Sequence, residues 1–166
     1  AISYIAFPVQ YFLTGIGEGV QPLISFYHGA KKEMEVRAVK KIAYTAEIIF
    51  GITAASVTIC MIPYIGGWFG LSAESKQCFS SGMLISSFAF LLTGTAKLNV
   101  SCLNAVMQTK KAVFMTYIES LAVSPICLFL LPAVWDIRGI WLALPVTAGI
   151  MTGIYGLIRK DRKNEE

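Results

Sequence analysis

The chain has 166 residues, of which 55% are hydrophobic and only 14% are charged, and its formal net charge is +4. Soluble globular domains contain about 25% charged residues, so this composition excludes an ordinary soluble surface and favours lipid as the solvent. A soluble helical domain would also need helices with one polar face. The apolar segments of this chain carry small residues and hydroxyl groups instead.

Five apolar segments follow one another along the chain, each 19 to 30 residues long, at about residues 2–27, 42–64, 79–108, 112–135 and 140–158. A helix needs about 20 mainly apolar residues to cross a bilayer. The sequence therefore predicts an all-α protein, a polytopic bundle of five membrane-spanning helices that forms a single transmembrane domain over residues 1–166.

The basic residues indicate how these spans are oriented. Eleven of the 14 lie between spans one and two, between spans three and four, or after span five: Lys31, Lys32, Arg37, Lys40, Lys41, Lys110, Lys111, Arg159, Lys160, Arg162 and Lys163. The opposite loops hold only Lys76 and Arg138. Because cytoplasmic loops are enriched in Lys and Arg, we predict a multi-pass protein of the cell membrane with an external N-terminus and a cytoplasmic C-terminus. Topology then explains the positive charge, and no nucleic-acid partner is expected.

The first span contains one charged residue, Glu18, about 13 Å from the cytoplasmic end and thus near the bilayer midplane. Gly17 and Gly19 flank it and allow close approach of a neighbouring helix. Pro22 removes a backbone donor and frees the carbonyl of Glu18, which predicts a kinked or opened turn. Intramembrane ionisable groups face a cavity or one another. Glu18 is therefore either a site for a transported cation or proton, or part of a packing kink whose charge Lys97 neutralises.

Two further carboxylates are shallower. Glu47 lies about 8 Å and Glu119 about 10 Å from the cytoplasmic ends of spans two and four. Long charged side chains can extend to the interface, and we predict this, or a surface ion pair, for Glu47. For Glu119 the sequence leaves that interpretation and a place in a polar cavity equally open.

The third span carries a polar stripe, formed by Thr93, Lys97, Ser101, Asn104 and Gln108. Spacings of three and four residues keep these side chains on one helix face. Lys97 lies about 16 Å deep. The stripe is either the wall of an aqueous or substrate cavity or a set of hydrogen-bonding contacts between helices, and the lysine favours the cavity.

The sequence contains no signature of enzymatic chemistry. Its four cysteines form neither a CxxC motif nor a Cys/His cluster, so no metal site is expected. A nucleophile elbow, a phosphate-binding loop and a dinucleotide fingerprint are also absent from the sequence. We therefore predict that the protein is not an enzyme.

Several stretches resemble the multidrug and toxic compound extrusion (MATE) family of exporters. The segment QPLISFYHGAKK is similar to the end of the eighth of that family's twelve helices, and YIGGWFG to the segment after the ninth. CLNAVMQTKKA resembles the end of the tenth helix with its basic turn, and RGIWLALPVT the start of the last helix. The whole chain then corresponds to helices eight to twelve, an incomplete C-terminal lobe. The first residues, Ala-Ile-Ser, also lead us to expect a piece of a longer protein.

The resemblance implies an antiporter that is driven by H⁺ or Na⁺ and exports amphiphilic, often cationic drugs across the membrane. Its partners would be the lipid bilayer, the N-terminal lobe and small organic cations, and it would need no cofactor beyond the coupling ion. Residues expected to serve coupling or line the substrate cavity are Glu18, Lys97, Asn104 and Glu119, with Lys97 setting the charge state of Glu18. Several branches carry an acidic residue on the tenth helix where this chain has Lys97, so no sodium site is expected there.

Two alternatives remain at this point. One is a flippase of lipid-linked oligosaccharides from the same superfamily, and the other is a membrane protein that does not transport, such as a degenerate gene product. A pyrophosphate cargo would favour a strongly basic cavity, whereas the spans hold one lysine and three glutamates.

Overall fold

The computed structural model describes residues 2–70 and 73–165, with only the backbone for residues 3, 66, 73, 74 and 159–165. Its elements are α1 (Ile2–Gly29), α2 (Glu33–Trp68), α3 (Ala73–Ala105), α4 (Thr109–Tyr117), a π-helical segment (Ile118–Val123) and α5 (Ser124–Glu165). The predicted all-α class is confirmed for these residues. The side chains of the four basic residues predicted to follow span five lie outside the described part of the chain.

Two turns with the same geometry join α1 to α2 and α3 to α4. Lys31 and Met107 adopt left-handed conformations with φ of 58° and 59°. In each turn this residue donates its N–H to the carbonyl three residues earlier, and the next residue donates to the carbonyl five residues earlier. This is the Schellman arrangement that satisfies the last carbonyls of a helix. Both hairpins therefore close in the same way, although neither has glycine at the left-handed position.

A sharp corner interrupts α5. Trp135 and Asp136 have non-helical backbone angles, with φ of 48° at Asp136. A methyl group at Gly139 would overlap with the carbonyl of Leu131. Residues eight apart would be about 12 Å apart along a straight helix, so the chain folds back here. The corner lies between the ends of the predicted fourth and fifth spans.

Helix α3 is the central element, because it packs against α1, α2 and α5. On one side an apolar cluster joins α3 to α1 and α2, and it contains Ile24, Val36, Ala43, Leu98, Cys102, Ala105 and Val106. On the other side a second cluster joins α3 to α4 and α5, and it contains Ala96, Leu103, Ala112, Met115, Ala148 and Met151. Helix α3 therefore lies between two packed apolar layers.

Large apolar side chains also cover the outside of the bundle, including Phe7, Phe12, Ile49, Phe129 and Leu157. Among the described residues, three helical stretches are long and apolar enough to cross a membrane: Glu33–Ile65, Ser75–Ala105 and Thr109–Ile158. The first predicted span, which is helix α1, is not one of these three. The predicted fourth and fifth spans lie together in the third stretch, on either side of the corner.

Candidate functional site

An ion pair connects the central helix to the π-helical segment. Nζ of Lys97 lies 2.9 Å from Oε1 of Glu119, and the Glu119 side chain is mostly buried. Glu119 is the second residue of the π-helical segment. Such segments are rare and are found frequently at functional sites. Two of the four predicted site residues are thus brought together as a charged, hydrogen-bonded pair.

The structure corrects the expected relation between Lys97 and Glu18. Lys97 pairs with Glu119, whereas Glu18 is exposed and has no hydrogen bond or ion pair to any described residue. Helix α1 continues through Glu18 and Pro22 to Gly29. The carboxyl group of Glu18 therefore lies on an outer face of α1, away from the lysine that was expected to set its charge.

The glycines beside Glu18 have different surroundings. A methyl group at Gly17 would lie 3.0 Å from Oγ of Ser101 and 3.4 Å from Cα of Leu98, so Gly17 allows the close approach of α1 to α3. No atom lies within 4 Å of such a group at Gly19. Gly17 thus packs closely against α3, whereas Gly19 faces open space.

Glu47 is a functional candidate that the sequence interpretation placed wrongly. Instead of reaching the interface or a surface partner, its side chain is buried, with 2% of the residue exposed. Neither carboxyl oxygen has a hydrogen-bond partner among the described residues. A methyl group at Gly94 would overlap with Oε2 of Glu47 and would lie 3.1 Å from Cδ2 of Leu13. The carboxyl group is therefore enclosed between α1, α2 and α3, in space that only a glycine leaves free.

Polar and small residues continue this contact between α2 and α3. One turn before Glu47, the hydroxyl of Tyr44 donates a short hydrogen bond to Oδ1 of the buried Asn99. One turn after it, a methyl group at Gly51 would lie 2.9 Å from Cδ2 of Leu91. Close helix contacts through small residues and buried polar groups are typical of membrane proteins.

The polar stripe of α3 does not face a single neighbour. Lys97 reaches the π-helical segment, and Ser101 lies against Gly17 of α1. Asn104 is half-buried, and its carbonyl accepts the N–H of Met107 in the turn after α3. The hydroxyl of Thr93 is buried and finds no hydrogen-bond partner among the residues that the structure describes. The stripe thus contributes both to helix packing and to the ion pair.

Comparison with protein-family models, curated proteins and solved structures gave no significant match. The chemistry of the site is therefore argued from its own residues. Two carboxyl groups on the long helices, Glu18 and Glu47, lack a basic partner among the described residues, and a third is paired with the only lysine of the stripe. Such an arrangement leaves carboxylates free to bind a cation or a proton.

The sequence contained one signal that points toward the buried position of Glu47. Gly51 follows Glu47 by one turn, so a small residue and the carboxylate occupy the same face of α2. Small residues mark faces where membrane helices pack closely. The prediction for Glu47 was based on its depth in the second span. Depth does not tell whether a side chain points into the bundle or away from it.

Proposed function

We propose that this chain is part of a cation-coupled antiporter that exports amphiphilic organic cations, with the architecture of a MATE-like C-terminal lobe. The sequence resemblance over the whole chain supports the family, and the helical bundle with apolar outer surfaces is compatible with it. The observation that carries the function is the presence of two carboxyl groups on the long helices, Glu18 and Glu47, without a basic partner among the described residues.

Five membrane crossings are part of this proposal. The stretch Thr109–Ile158 has 50 residues, which as one straight helix would be about 75 Å long, well over twice the thickness of the hydrocarbon core. Its corner at Trp135 and Asp136 divides it into two crossings. Helix α1 is the remaining crossing, with 28 residues. The basic turns between α1 and α2 and between α3 and α4 then lie on the cytoplasmic side.

In the proposed mechanism the three carboxyl groups have different tasks. Glu18 lies on an exposed face of α1 and exchanges H⁺ or Na⁺ with water or with the substrate cation. Glu47 is enclosed between helices, where a change in its occupancy alters how closely α2 packs on α3. The pair of Lys97 and Glu119 neutralises the lysine and holds the π-helical segment to α3. Secondary transporters alternate by moving one bundle against another around such a site.

The experiment compares Glu18→Gln and Glu47→Gln in the transporter that contains this chain, expressed in cells without other drug pumps. Glutamine preserves the size of the side chain and removes its capacity to bind a cation. We expect ion-driven efflux of ethidium to fall to the level of cells without the transporter, while the amount of protein in the membrane stays unchanged. The measured quantity is the rate of ethidium release after an imposed ion gradient.

Glu35→Gln is the matched control, because Glu35 is an exposed carboxylate in the first turn of α2. It should retain full efflux. Normal transport with both Glu18→Gln and Glu47→Gln would contradict the coupling role and favour a membrane protein that does not transport. Loss of efflux with Glu35→Gln as well would point to a general effect of surface charge.

A further inference from the structure

At the end of the bundle where α3 begins, six described residues from two helices line an open cavity of about 290 Å³. They are Gln77, Cys78, Ser81, Ile137, Arg138 and Trp141. None of the six is acidic. Four of them offer hydrogen-bond donors from a guanidinium, an amide, a hydroxyl and an indole group. From this donor set we infer that the cavity binds the phosphate group of an anionic ligand, at a site separate from the carboxylates proposed for transport.

Arg138 provides the positive charge. It lines the cavity, is exposed, and makes no ion pair with any described residue. A guanidinium group presents several donors in one plane, which matches the oxygens of a phosphate in a two-point contact. Asp136, the acidic residue next to the corner, is exposed and does not line the cavity. An unpaired arginine beside a donor-lined cavity is therefore available to a ligand.

Trp141 adds an independent observation. It lines the cavity, and its indole N–H is buried without a hydrogen-bond partner among the described residues. Buried donors in proteins nearly always have a partner, so one without a partner needs an explanation. A ligand oxygen at the edge of the cavity would supply the missing acceptor after a small adjustment of the ring.

One helix end beside the cavity contributes charge of the same sign. Ile137, Arg138 and Trp141 follow directly on the corner in α5, whereas Gln77, Cys78 and Ser81 lie in the second and third turns of α3. The N-terminal end of a helix carries a partial positive charge and favours anions, and this effect is confined to its first turn. The start of the helix after the corner therefore adds to the attraction that Arg138 provides.

The phosphate has two possible sources, a phospholipid head group or free phosphate in solution. The cavity lies at the start of Ser75–Ala105, which is long and apolar enough to cross a membrane. Tryptophan and arginine side chains are both favoured at the level of the lipid head groups. The chemistry that recognises the ligand is the same in both cases, so the experiment must separate the sources.

The test uses the whole protein in a neutral detergent and compares wild type with Arg138→Gln. Thermal unfolding is measured with inorganic phosphate, with chloride at equal ionic strength, and with added phosphatidylglycerol or phosphatidylcholine. Lipid that remains bound is counted by native mass spectrometry. A higher unfolding temperature in phosphate than in chloride identifies free phosphate as a ligand. Retention of phosphatidylglycerol alone identifies a lipid head group as the ligand. In either case we expect Arg138→Gln to weaken binding about tenfold or more, the effect of losing a charged hydrogen-bond donor.

Lys76→Gln is the matched control, because Lys76 is an exposed basic residue at the same end that does not line the cavity. It should bind as wild type does. Trp141→Phe keeps the ring and removes the N–H, and it should weaken binding less than Arg138→Gln. If Lys76→Gln and Arg138→Gln weaken binding equally, the binding depends on general surface charge, and the proposed site is wrong. Absence of binding by both phosphate and phosphatidylglycerol to the wild-type protein would overturn it too.

Discussion

The two sides of α3 differ in whether a charged group between the helices has a partner of opposite charge. Toward the π-helical segment, Lys97 and Glu119 compensate each other at 2.9 Å. Toward α1 and α2, Glu47 is buried with no partner among the described residues, and its carboxyl group occupies the space beside Gly94. A charge that is taken out of water costs free energy unless it is paired. The ion pair is therefore suited to hold α3 against the π-helical segment. The carboxyl group of Glu47 is suited instead to change its occupancy by a proton or a cation.

The largest effect is expected where packing and the unpaired carboxyl group meet. Gly94→Ala would force a methyl group into the space of Oε2 of Glu47, and we expect it to destabilise the protein by up to about 3 kcal/mol, the upper range for overpacked cores. Thermal unfolding in detergent measures the change.

Two further variants isolate the contact. Glu47→Ala should remove most of the cost of Gly94→Ala when the two are combined, because the overlapping atom is gone. Gly15→Ala is the control in α1, since no atom lies within 4 Å of its methyl position. A cost for Gly94→Ala that persists in the Glu47→Ala background would show that the carboxyl group is not the obstacle.

On the paired side, Glu119→Leu leaves the ammonium group of Lys97 without its counter-charge. Loss of one partner of a fully buried pair costs about 3–5 kcal/mol. Because 40% of the Lys97 side chain is exposed, solvent reduces this cost, and we expect a destabilisation of about 2 kcal/mol. Unfolding midpoints in detergent give the value.

The double variant Lys97→Met, Glu119→Leu tests whether the pair matters as a pair. It should regain most of the stability that Glu119→Leu loses, since apolar replacement of an ion pair is often neutral or favourable. If the double variant is as unstable as Glu119→Leu, the loss would come from packing around the π-helical segment instead.

The smallest effect has the opposite sign. Glu47→Leu removes a buried carboxyl group that has no partner in the described part of the chain, and we expect the protein to become more stable by about 1 kcal/mol. Glu35→Leu at an exposed position should change stability by less than about 0.5 kcal/mol. A clear loss of stability for Glu47→Leu would show that the carboxyl group contributes to packing as it stands. Both variants are compared by thermal unfolding.

The sequence predicted the helical class, and two of the turns that it indicated coincide with turns in the structure. Bunched charges marked the turn around Lys31 and the turn before Lys110, and the gap between residues 135 and 140 contains the observed corner. These features depend on local composition, which a single sequence displays directly. Part of the predicted first loop is helical, because α2 already begins at Glu33.

The interaction partners of the charged residues could not be predicted from local composition. Helical rise gives the depth of Glu47, Lys97 and Glu119, but the direction of each side chain depends on how the helices are rotated against one another. That rotation is set by close contacts such as the one at Gly94, which form only when three helices pack. The π-helical segment, which places Glu119 opposite Lys97, has no recognised composition signal either.

The corner in α5 also has a consequence for biosynthesis. The machinery that inserts proteins into membranes receives Thr109–Ile158 as 50 mainly apolar residues, and the number of times this stretch crosses decides on which side the C-terminus emerges. In the proposed topology, the reversal at Trp135 and Asp136 divides this stretch into two crossings. Because Gly139 lies against the carbonyl of Leu131 at this turn, a larger residue at this position would oppose the reversal. In the proposed topology, Gly139 thus helps to form the turn that returns the chain across the membrane.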